Sequence, residues 1–188
     1  MRIRAANHDD AAAIWAIIEP VIRAGETYAL DRDMGRADAL AYWFGADKEV
    51  FVAEEDGVPL GTYYLRANQA GGGAHVCNAG YMTAAAATGR GVARAMARHS
   101  IDLATERGFR AMQYNFVVSS NERAVRLWQA LGFEIVGRLP QAFDHPALGL
   151  VDALVVHGEK DASVPVERVY EWGRADSHPV VVVPGADH

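Results

Sequence analysis

The sequence predicts a single mixed α/β domain in which helices pack around one β-sheet. The first observation is the pattern, because seven short β-rich runs are interspersed with four segments of helical character. The second is the composition: 51% of the 188 residues are hydrophobic and 22% are charged, which is enough apolar surface to bury one core without disulfides. This length favours one domain, or one domain followed by a tail.

The first part of the chain predicts a strand, two helices and a hairpin. Ile3 alternates with arginines, as in a half-buried strand, and the acidic run His8-Asp9-Asp10 is a favourable helix start. Pro20 is expected to kink or end the first helix, because a proline ring clashes with the preceding turn. The run Glu55-Asp56-Gly57 indicates the hairpin turn. The predicted elements are a strand at Arg2–Ala6, a helix from Ala11, a helix at Arg36–Phe44, and strands at Val50–Ala53 and Leu60–Leu65.

The second part of the chain alternates strands with helices. One helix begins at Gly91 and ends before Gly108, and Gly132 stops the next. The run Ser119-Ser120-Asn121-Glu122 has the spacing of a capping box, with Asn121 as a second candidate cap. The predicted elements are strands at His75–Thr83, Met112–Val118, Phe133–Val136 and Leu150–Val156, and helices at Gly91–Glu106 and up to Leu131.

Charge and composition argue against several classes of partner. The 18 basic and 24 acidic side chains give a formal net charge of -6, so neither nucleic acid nor an anionic membrane is an expected partner. The N-terminus does not resemble a signal peptide, and the apolar stretch Ala11–Ile18 is too short to span a bilayer. The lone cysteine, Cys77, lies in an apolar run and is interpreted as a buried, inert thiol. A cytoplasmic protein without a metal site is the expectation.

The turn after the fourth strand predicts an anion site. Glycines at Gly89 and Gly91 let backbone N–H groups approach a ligand closely, and the new helix adds unsatisfied N–H groups and the positive end of its dipole. Arg90 and Arg94 add full positive charges. Taken alone, the turn is equally compatible with a plain strand-to-helix connection. The phosphate-binding motifs GxxxxGK[ST] and GxGxxG are absent from the sequence.

A second motif lies on the helix after the fifth strand. Asn121, Ala124, Leu127-Trp128 and Leu131-Gly132-Phe133 fit the pattern N-x-x-A-x-x-L-Y-x-x-x-G-F, with tryptophan in place of tyrosine. The loop Thr88-Gly89-Arg90-Gly91-Val92-Ala93 fits R/Q-x-x-G-x-G/A, with threonine in the first position. With both motifs in order, residues 2–156 resemble the GNAT superfamily of N-acetyltransferases. The resemblance implies a mixed, mostly antiparallel sheet of about seven strands flanked by helices.

The resemblance also implies acetyl-CoA as co-substrate, with its pyrophosphate on the loop amides and its pantetheine arm beside the fourth strand. Thr88 replaces a longer donor side chain but keeps the backbone cradle. Trp128 stands where many members have a tyrosine that protonates the leaving thiolate, and an indole cannot supply that proton. Either water does so, or Asn121 and backbone donors stabilise the thiolate, while Trp128 packs against the core or the CoA arm. The implied cofactor-binding residues are Met82, Thr83, Thr88, Gly89, Arg90, Gly91, Val92, Ala93, Arg94, Asn121 and Trp128.

Narrower likenesses concern the acceptor. The strand pieces Cys77–Met82 and Tyr114–Phe116 resemble the subgroup that contains the yeast acetyltransferase of proline analogues, in which strand asparagines contact a small amino-acid acceptor. The resemblance therefore implies Asn78 and Asn115 at the acceptor, with Asn115 and Asn121 as the catalytic residues. The alternative is that these asparagines only satisfy strand-edge backbone groups. Glu26 and Tyr28 lie in the loop that roofs the acceptor site in this family, and no general base is assigned.

After about residue 157 the sequence changes character. The run from Val155 to Pro165 and the run from Val180 to His188 resemble the late segments of α/β-hydrolases, with Asp161 and His188 in place of the triad acid and histidine. No GxSxG nucleophile motif occurs, so this chemistry lacks its nucleophile. The expected organisation is an acyltransferase domain at 1–156 and a hydrolase-like tail at 157–188 that is not an independent domain.

The function expected from these patterns is transfer of an acetyl group from acetyl-CoA to the amine of a small molecule, such as an amino acid or an analogue. The mechanism is direct attack through a tetrahedral intermediate. One alternative is a CoA-binding domain without turnover, motivated by Trp128. A second is a serine-hydrolase fragment, for which ester cleavage is not expected. A homodimer remains open, because the apolar run from Val180 needs a partner surface.

Overall fold

The computed structural model describes residues 1–159. Short 3-10 helices precede α1, β4 and α3 in the succession of elements. The described strands and helices are, in order, β1 (Arg2–Ala5), α1 (Ala11–Ala24), α2 (Arg36–Trp43), β2 (Glu49–Glu55), β3 (Val58–Ala67), β4 (Val76–Thr83), α3 (Val92–Glu106), β5 (Ala111–Val118), α4 (Glu122–Ala130), β6 (Glu134–His145) and β7 (Gly149–Glu159).

All seven described strands join one sheet in the order β1-β2-β3-β4-β5-β7-β6. Neighbouring strands are antiparallel except β4 and β5, which are parallel. This confirms the predicted fold class, a mixed and mostly antiparallel sheet flanked by helices. A parallel pair requires a crossover between its strands, and α3 supplies it.

The sheet separates two apolar cores, and the alternation of side chains along β4 distributes residues between them. Cys77 and Tyr81 face the core that contains α3 and α4. Met82 points the other way and packs in the core of α1 and α2, where Trp43 is fully buried. Cys77 is also fully buried, and burial raises the pKa of its thiol to about 12, which confirms the buried, inert thiol expected from the sequence.

The first helix does not end at Pro20, which was one of the two outcomes expected there. It continues to Ala24 and ends at Gly25, whose φ of +64° closes the helix. An interior proline costs about 3 kcal/mol. The apolar stripe continues past the proline, and burying Ile22 fully contributes about 1.5–3 kcal/mol, so packing offsets much of that cost. None of the helices between residues 1 and 159 is long and apolar enough to cross a membrane.

Strand β7 extends beyond the expected domain boundary. His157 lies opposite Gln113 of β5 and Glu134 of β6, and pairing with β5 continues to Glu159. The first three residues of the predicted tail therefore belong to the central sheet. The remaining tail, including Asp161 and His188, lies outside the described residues.

Candidate active site

Strands β4 and β5 are paired only where they begin. Val76 lies opposite Ala111 and Cys77 opposite Met112, and no further pair between these strands follows in the described sheet. Because both strands continue for several residues, they diverge and open a cleft. A cavity of about 280 Å³ fills this cleft, with walls from the loop after α1, from β3, β4 and β5, and from α4.

Asn78 lies at the point of divergence. It is buried, and its Nδ2 donates a hydrogen bond to the carbonyl oxygen of Gln113 at 2.8 Å. This bond satisfies a backbone acceptor that would otherwise lose its partner where the strands separate. Among the described hydrogen bonds none uses Asn78 Oδ1, so the same side chain also presents an acceptor oxygen at the cavity wall.

Asn115 is held by other amides. Its Nδ2 donates to Asn68 Oδ1 at 2.7 Å, and its Oδ1 accepts from Asn68 Nδ2 at 3.2 Å and from Gln113 Nε2 at 2.9 Å. Asn115 lines the cavity, yet both polar atoms of its side chain already have partners. The expected catalytic role of Asn115 would therefore require it to share atoms that fix the conformation of this wall.

Asn121 is the N-cap of α4, so the helix does not begin with a capping box at Ser119. Its Oδ1 accepts a hydrogen bond from the Ala124 backbone N–H at 3.2 Å. No described hydrogen bond uses Asn121 Nδ2, and the residue lines the cavity. The cap thus fixes the side chain while its amide N–H groups remain available as donors.

Trp128 packs within an aromatic cluster on the cavity wall. It is 7% exposed, and its ring centroid lies 4.5 Å from that of Tyr114 and 5.1 Å from that of Tyr81. The Tyr81 hydroxyl hydrogen-bonds the Ser100 hydroxyl at 2.6 Å and the Tyr114 hydroxyl at 3.2 Å. Burial raises the pKa of both tyrosines, so they stay protonated at neutral pH.

The two loop residues expected at the acceptor site lie in different cavities. Tyr28 lines the cleft, where its hydroxyl donates to the carbonyl oxygen of Tyr81 at 3.0 Å, and burial raises its pKa. Glu26 is exposed and lines a separate, more open cavity of about 320 Å³. Thr27 and Asn121 border both cavities. Glu26 therefore stands next to the cleft but not in its wall.

The start of α3 forms the expected cradle of backbone donors. Gly89 and Gly91 adopt φ of +82° and +79°, values that side chains other than glycine adopt only with strain. In the described hydrogen bonds, the N–H groups of Gly89, Gly91 and 92–94 have no partner. Val92 is buried in the core and anchors the helix, so the free donors are held in place.

The backbone of this loop forms the cradle, whereas its charged and polar side chains are exposed or paired elsewhere. Arg90 forms an ion pair with Glu55 at the end of β2, and half of the Arg90 side chain is exposed. Arg94 and Thr88 are exposed. Because exposed ion pairs contribute little stability, the pairing with Glu55 leaves the guanidinium free to change partners.

Of the two residues expected beside the pantetheine arm, only Thr83 turns its backbone to the cleft. The Ala84 N–H bonds the Leu60 carbonyl on β3, and bonded pairs alternate along an antiparallel ladder. Met82 therefore directs its backbone at β3 and its side chain into the α1–α2 core, which corrects the expectation for Met82. Tyr81 and Thr83 face the opposite way, consistent with the bond from Tyr28 to the Tyr81 carbonyl.

Sequence reasoning missed Arg66 and Asn68. Arg66 lies directly opposite Asn78 in the β3–β4 register and lines the cavity. The hairpin pattern placed β3 correctly, but only the register with β4 shows which of its residues reach the cleft. No local sequence pattern pointed to Asn68, because its hydrogen-bond partner Asn115 is 47 residues away in the chain. Between residues 1 and 159, no group of three or more His, Cys, Asp or Glu is arranged to hold a metal ion.

The described residues thus combine a cleft between diverging parallel strands with free backbone N–H groups at the N-terminus of α3. The model of the acetyltransferase (GNAT) family matches residues 14–133, which is more than half of the chain. The chain therefore belongs to the acetyltransferase (GNAT) family. This membership agrees with the enzyme class expected from the sequence, an acetyl-CoA-dependent N-acetyltransferase.

Solved structures and a curated relative agree with this family. A GCN5-related N-acetyltransferase from Kribbella flavida is 42% identical with a TM-score of 0.80, and the match covers 84% of this chain and 96% of that one. The yncA protein of Salmonella typhimurium, solved with its cofactor acetyl-CoA, is 25% identical with a TM-score of 0.75, covering 86% and 94%. The N-acetyltransferase aca1 of Schizosaccharomyces pombe is 27% identical over 137 residues, 64% of this chain and 66% of that protein. The match thus spans slightly less than two thirds of that relative.

Proposed function

We propose that the protein transfers an acetyl group from acetyl-CoA to the amine of a small molecule, such as an amino acid or an analogue, by direct attack. The observation that carries the proposal is the opening of the sheet between β4 and β5, which brings Asn78 and Asn121 to one cavity while free N–H groups stand at the start of α3. The likenesses to yncA and aca1 support the same donor and the same chemistry.

The donor half of the site fits acetyl-CoA. The N–H groups of Gly89, Gly91 and 92–94 would bind the pyrophosphate, because several fixed donors at a helix N-terminus suit a dianionic group. Thr83 would hydrogen-bond the pantetheine amides through its outward-facing backbone. Acetyl-CoA supplies an activated thioester, and the residues of the chain bind it, orient it and exclude water around it.

The acceptor half fits a small molecule better than a peptide. The cleft cavity of about 280 Å³ lies just below the range of about 300–1,000 Å³ that is usual for small-ligand pockets. It is lined largely by aromatic and aliphatic side chains with a few polar groups, and Tyr28, Tyr64 and Trp128 form much of its apolar wall. Such walls bind a compact ligand and leave little room for an extended chain.

The amine reacts in its neutral form. No carboxylate and no histidine is among the described residues that line the cleft cavity, and its tyrosines keep their protons because burial raises the pKa of Tyr28, Tyr64 and Tyr81. Asn78 Oδ1 accepts one N–H of the amine and so directs its lone pair towards the thioester carbonyl. The C–N bond forms, the C–S bond breaks, and the proton of the amine passes to water.

Asn121 stabilises the negative charge that develops during transfer. Its Nδ2–H groups donate into the cavity, next to the positive end of the α4 dipole. Trp128 has no acidic proton for the leaving thiolate, so water protonates that sulfur. Asn115 shapes the wall through its bonds with Asn68. It also accepts a hydrogen bond from the Gln113 side chain, and so contributes to catalysis by holding in place the residue whose carbonyl oxygen binds Asn78.

The direct test is release of free thiol from acetyl-CoA with a panel of small amines, with the acetylated product identified by mass spectrometry. We expect amine-dependent release with at least one amino acid or analogue. A CoA-binding domain without turnover is a specific competitor, because Trp128 occupies the position of the usual tyrosine. Stabilisation of the protein by CoA without amine-dependent release from any member of the panel would favour that competitor and refute the proposal.

A further inference from the structure

Arg66 is the only charged side chain among the described residues that line the cleft cavity. The acceptor end of the cavity therefore has a fixed positive charge and no carboxylate to balance it within the wall. The Arg66 side chain is 34% exposed and is ion-paired with Asp47 outside the cavity wall, so a ligand in the cavity meets a guanidinium whose charge is only partly balanced.

The backbone directs Arg66 to the same face of the sheet as the proposed amine-binding oxygen. Arg66 lies opposite Asn78 in the antiparallel β3–β4 register, so the two Cα atoms are separated by about 5.5 Å. Tyr64, two residues earlier on β3, shares this face and lies across Gly80, where an added Cβ would come within 2.6 Å of the tyrosine ring. Arg66 and Asn78 thus form adjacent parts of one wall.

The guanidinium of Arg66 has fewer hydrogen-bond partners than it can use. Its Nη1 donates to Asp47 Oδ2 at 2.9 Å, and this carboxylate is 58% exposed on the outer side. Its Nε–H is buried and has no partner in the described part of the chain. Since a guanidinium has five N–H donors, one exposed ion pair leaves most of this capacity for a ligand.

A second cation increases the positive potential at this end. The Lys48 ammonium lies 3.7 Å from the ring centroid of Tyr42 and 4.5 Å from that of Tyr64, two residues whose rings line the cavity. Lys48 itself is not part of the wall. An acceptor with a second ammonium group, such as a diamine, would meet repulsion from both Lys48 and Arg66.

We propose that the acceptor carries a carboxylate or a similar small anion close to its amine, and that Arg66 binds this anion. The inference rests on the proposed acetyltransferase function and specifies the substrate class. The anion is bound by charge-assisted hydrogen bonds from the guanidinium, while Asn78 Oδ1 holds the amine beside it. Arg66 determines specificity and does not take part in bond breaking.

The test compares free amino acids with their carboxamides, such as proline with prolinamide and glycine with glycinamide. Rates are expressed per concentration of neutral amine, because the amide derivatives have more acidic ammonium groups. We expect the wild-type enzyme to prefer the amino acid. The Arg66→Met variant should lose roughly 10- to 100-fold in kcat/KM for the amino acid, mainly through KM, with the amide changed less than about twofold. Arg66→Lys should recover part of the preference.

Two controls separate a binding role from a structural one. Arg107 is another ion-paired arginine, bonded to the exposed Glu49 outside the cavity, so Arg107→Met should leave the preference unchanged. Unfolding curves of all variants verify the fold. Equal losses for amino acid and amide in Arg66→Met, or a wild-type preference for the amide, would overturn the inference while leaving the acetyltransferase function intact. Absence of turnover with every amine would instead refute the proposed function and the inference with it.

Discussion

One prediction concerns a negative charge introduced at Gly91. It compares Gly91→Asp with Gly91→Asn, two variants whose new side chains have nearly the same shape. Gly91 has a φ of +79°, and a Cβ added there meets no described atom within 4 Å. Asparagine and aspartate tolerate this left-handed conformation about equally. The two variants therefore share any backbone strain and differ by one negative charge among the free N–H groups of α3.

The magnitude follows from Coulomb's law. A carboxylate about 5–6 Å from a doubly charged pyrophosphate costs roughly 1.5 kcal/mol at the dielectric constant of water, and more where the protein excludes water. Every 1.4 kcal/mol is tenfold in affinity. We expect Gly91→Asp to bind CoA roughly 10- to 100-fold more weakly than Gly91→Asn.

The measurement is isothermal titration calorimetry with CoA at two salt concentrations. The difference between the variants should shrink at higher salt, because screening weakens the repulsion. Unfolding of the ligand-free variants is the control, since a negative charge at a helix N-terminus stabilises the helix by about 0.3–1 kcal/mol. Aspartate should thus be neutral or stabilising without ligand. Equal dissociation constants for the two variants would refute the assignment of this loop to the pyrophosphate.

The remaining predictions concern the reaction itself. Asn121→Ser keeps a capping oxygen but loses the amide donor, so kcat should fall roughly 10- to 100-fold at unchanged melting temperature. Asn121→Ala should in addition lose about 1 kcal/mol of stability, or roughly 2–4 °C, and wild-type kcat in the serine variant would contradict the catalytic role. Trp128→Phe should retain most of its activity in the thiol-release assay, because the ring packs against Tyr81 and Tyr114. Complete inactivity would mean that the indole does more than pack. The pH profile of kcat/KM should rise up to the pKa of the acceptor's own ammonium group and shift when the acceptor is changed. A limb with the same pKa for every acceptor would instead reveal a base on the enzyme.

Local sequence signals predicted the elements well, and they failed where tertiary packing competes with local preference. Pro20 is a strong local signal for a helix end, but the buried Ile22 beyond it keeps α1 continuous to Ala24. Ser119 and Asn121 were both candidate caps from spacing alone. The structure selects Asn121, whose Oδ1 bonds the Ala124 N–H.

The backbone cradle at the start of α3 was predictable from the sequence, and the residues that line the cleft were much less so. The cradle at Gly89 and Gly91 depends on positive φ and on a helix start, both of which are encoded within a few residues. Asn78, by contrast, bonds a carbonyl 35 residues away, so the sequence could offer its contact with a backbone group only as an alternative and could not name the partner. The position of Arg66 in the wall likewise follows only from the β3–β4 register.

The sequence by itself determined the order of strands and helices, the cradle at the start of α3 and the family to which the chain belongs. These features depend on residues close together in the chain or on a motif with fixed spacing. Only the tertiary structure decided where β4 and β5 separate, that Asn115 is held by Asn68, and that Arg66 stands alone as the charged residue among the described residues of the cavity wall. The physical reason is that strand register and the direction of each side chain depend on partners far away in sequence.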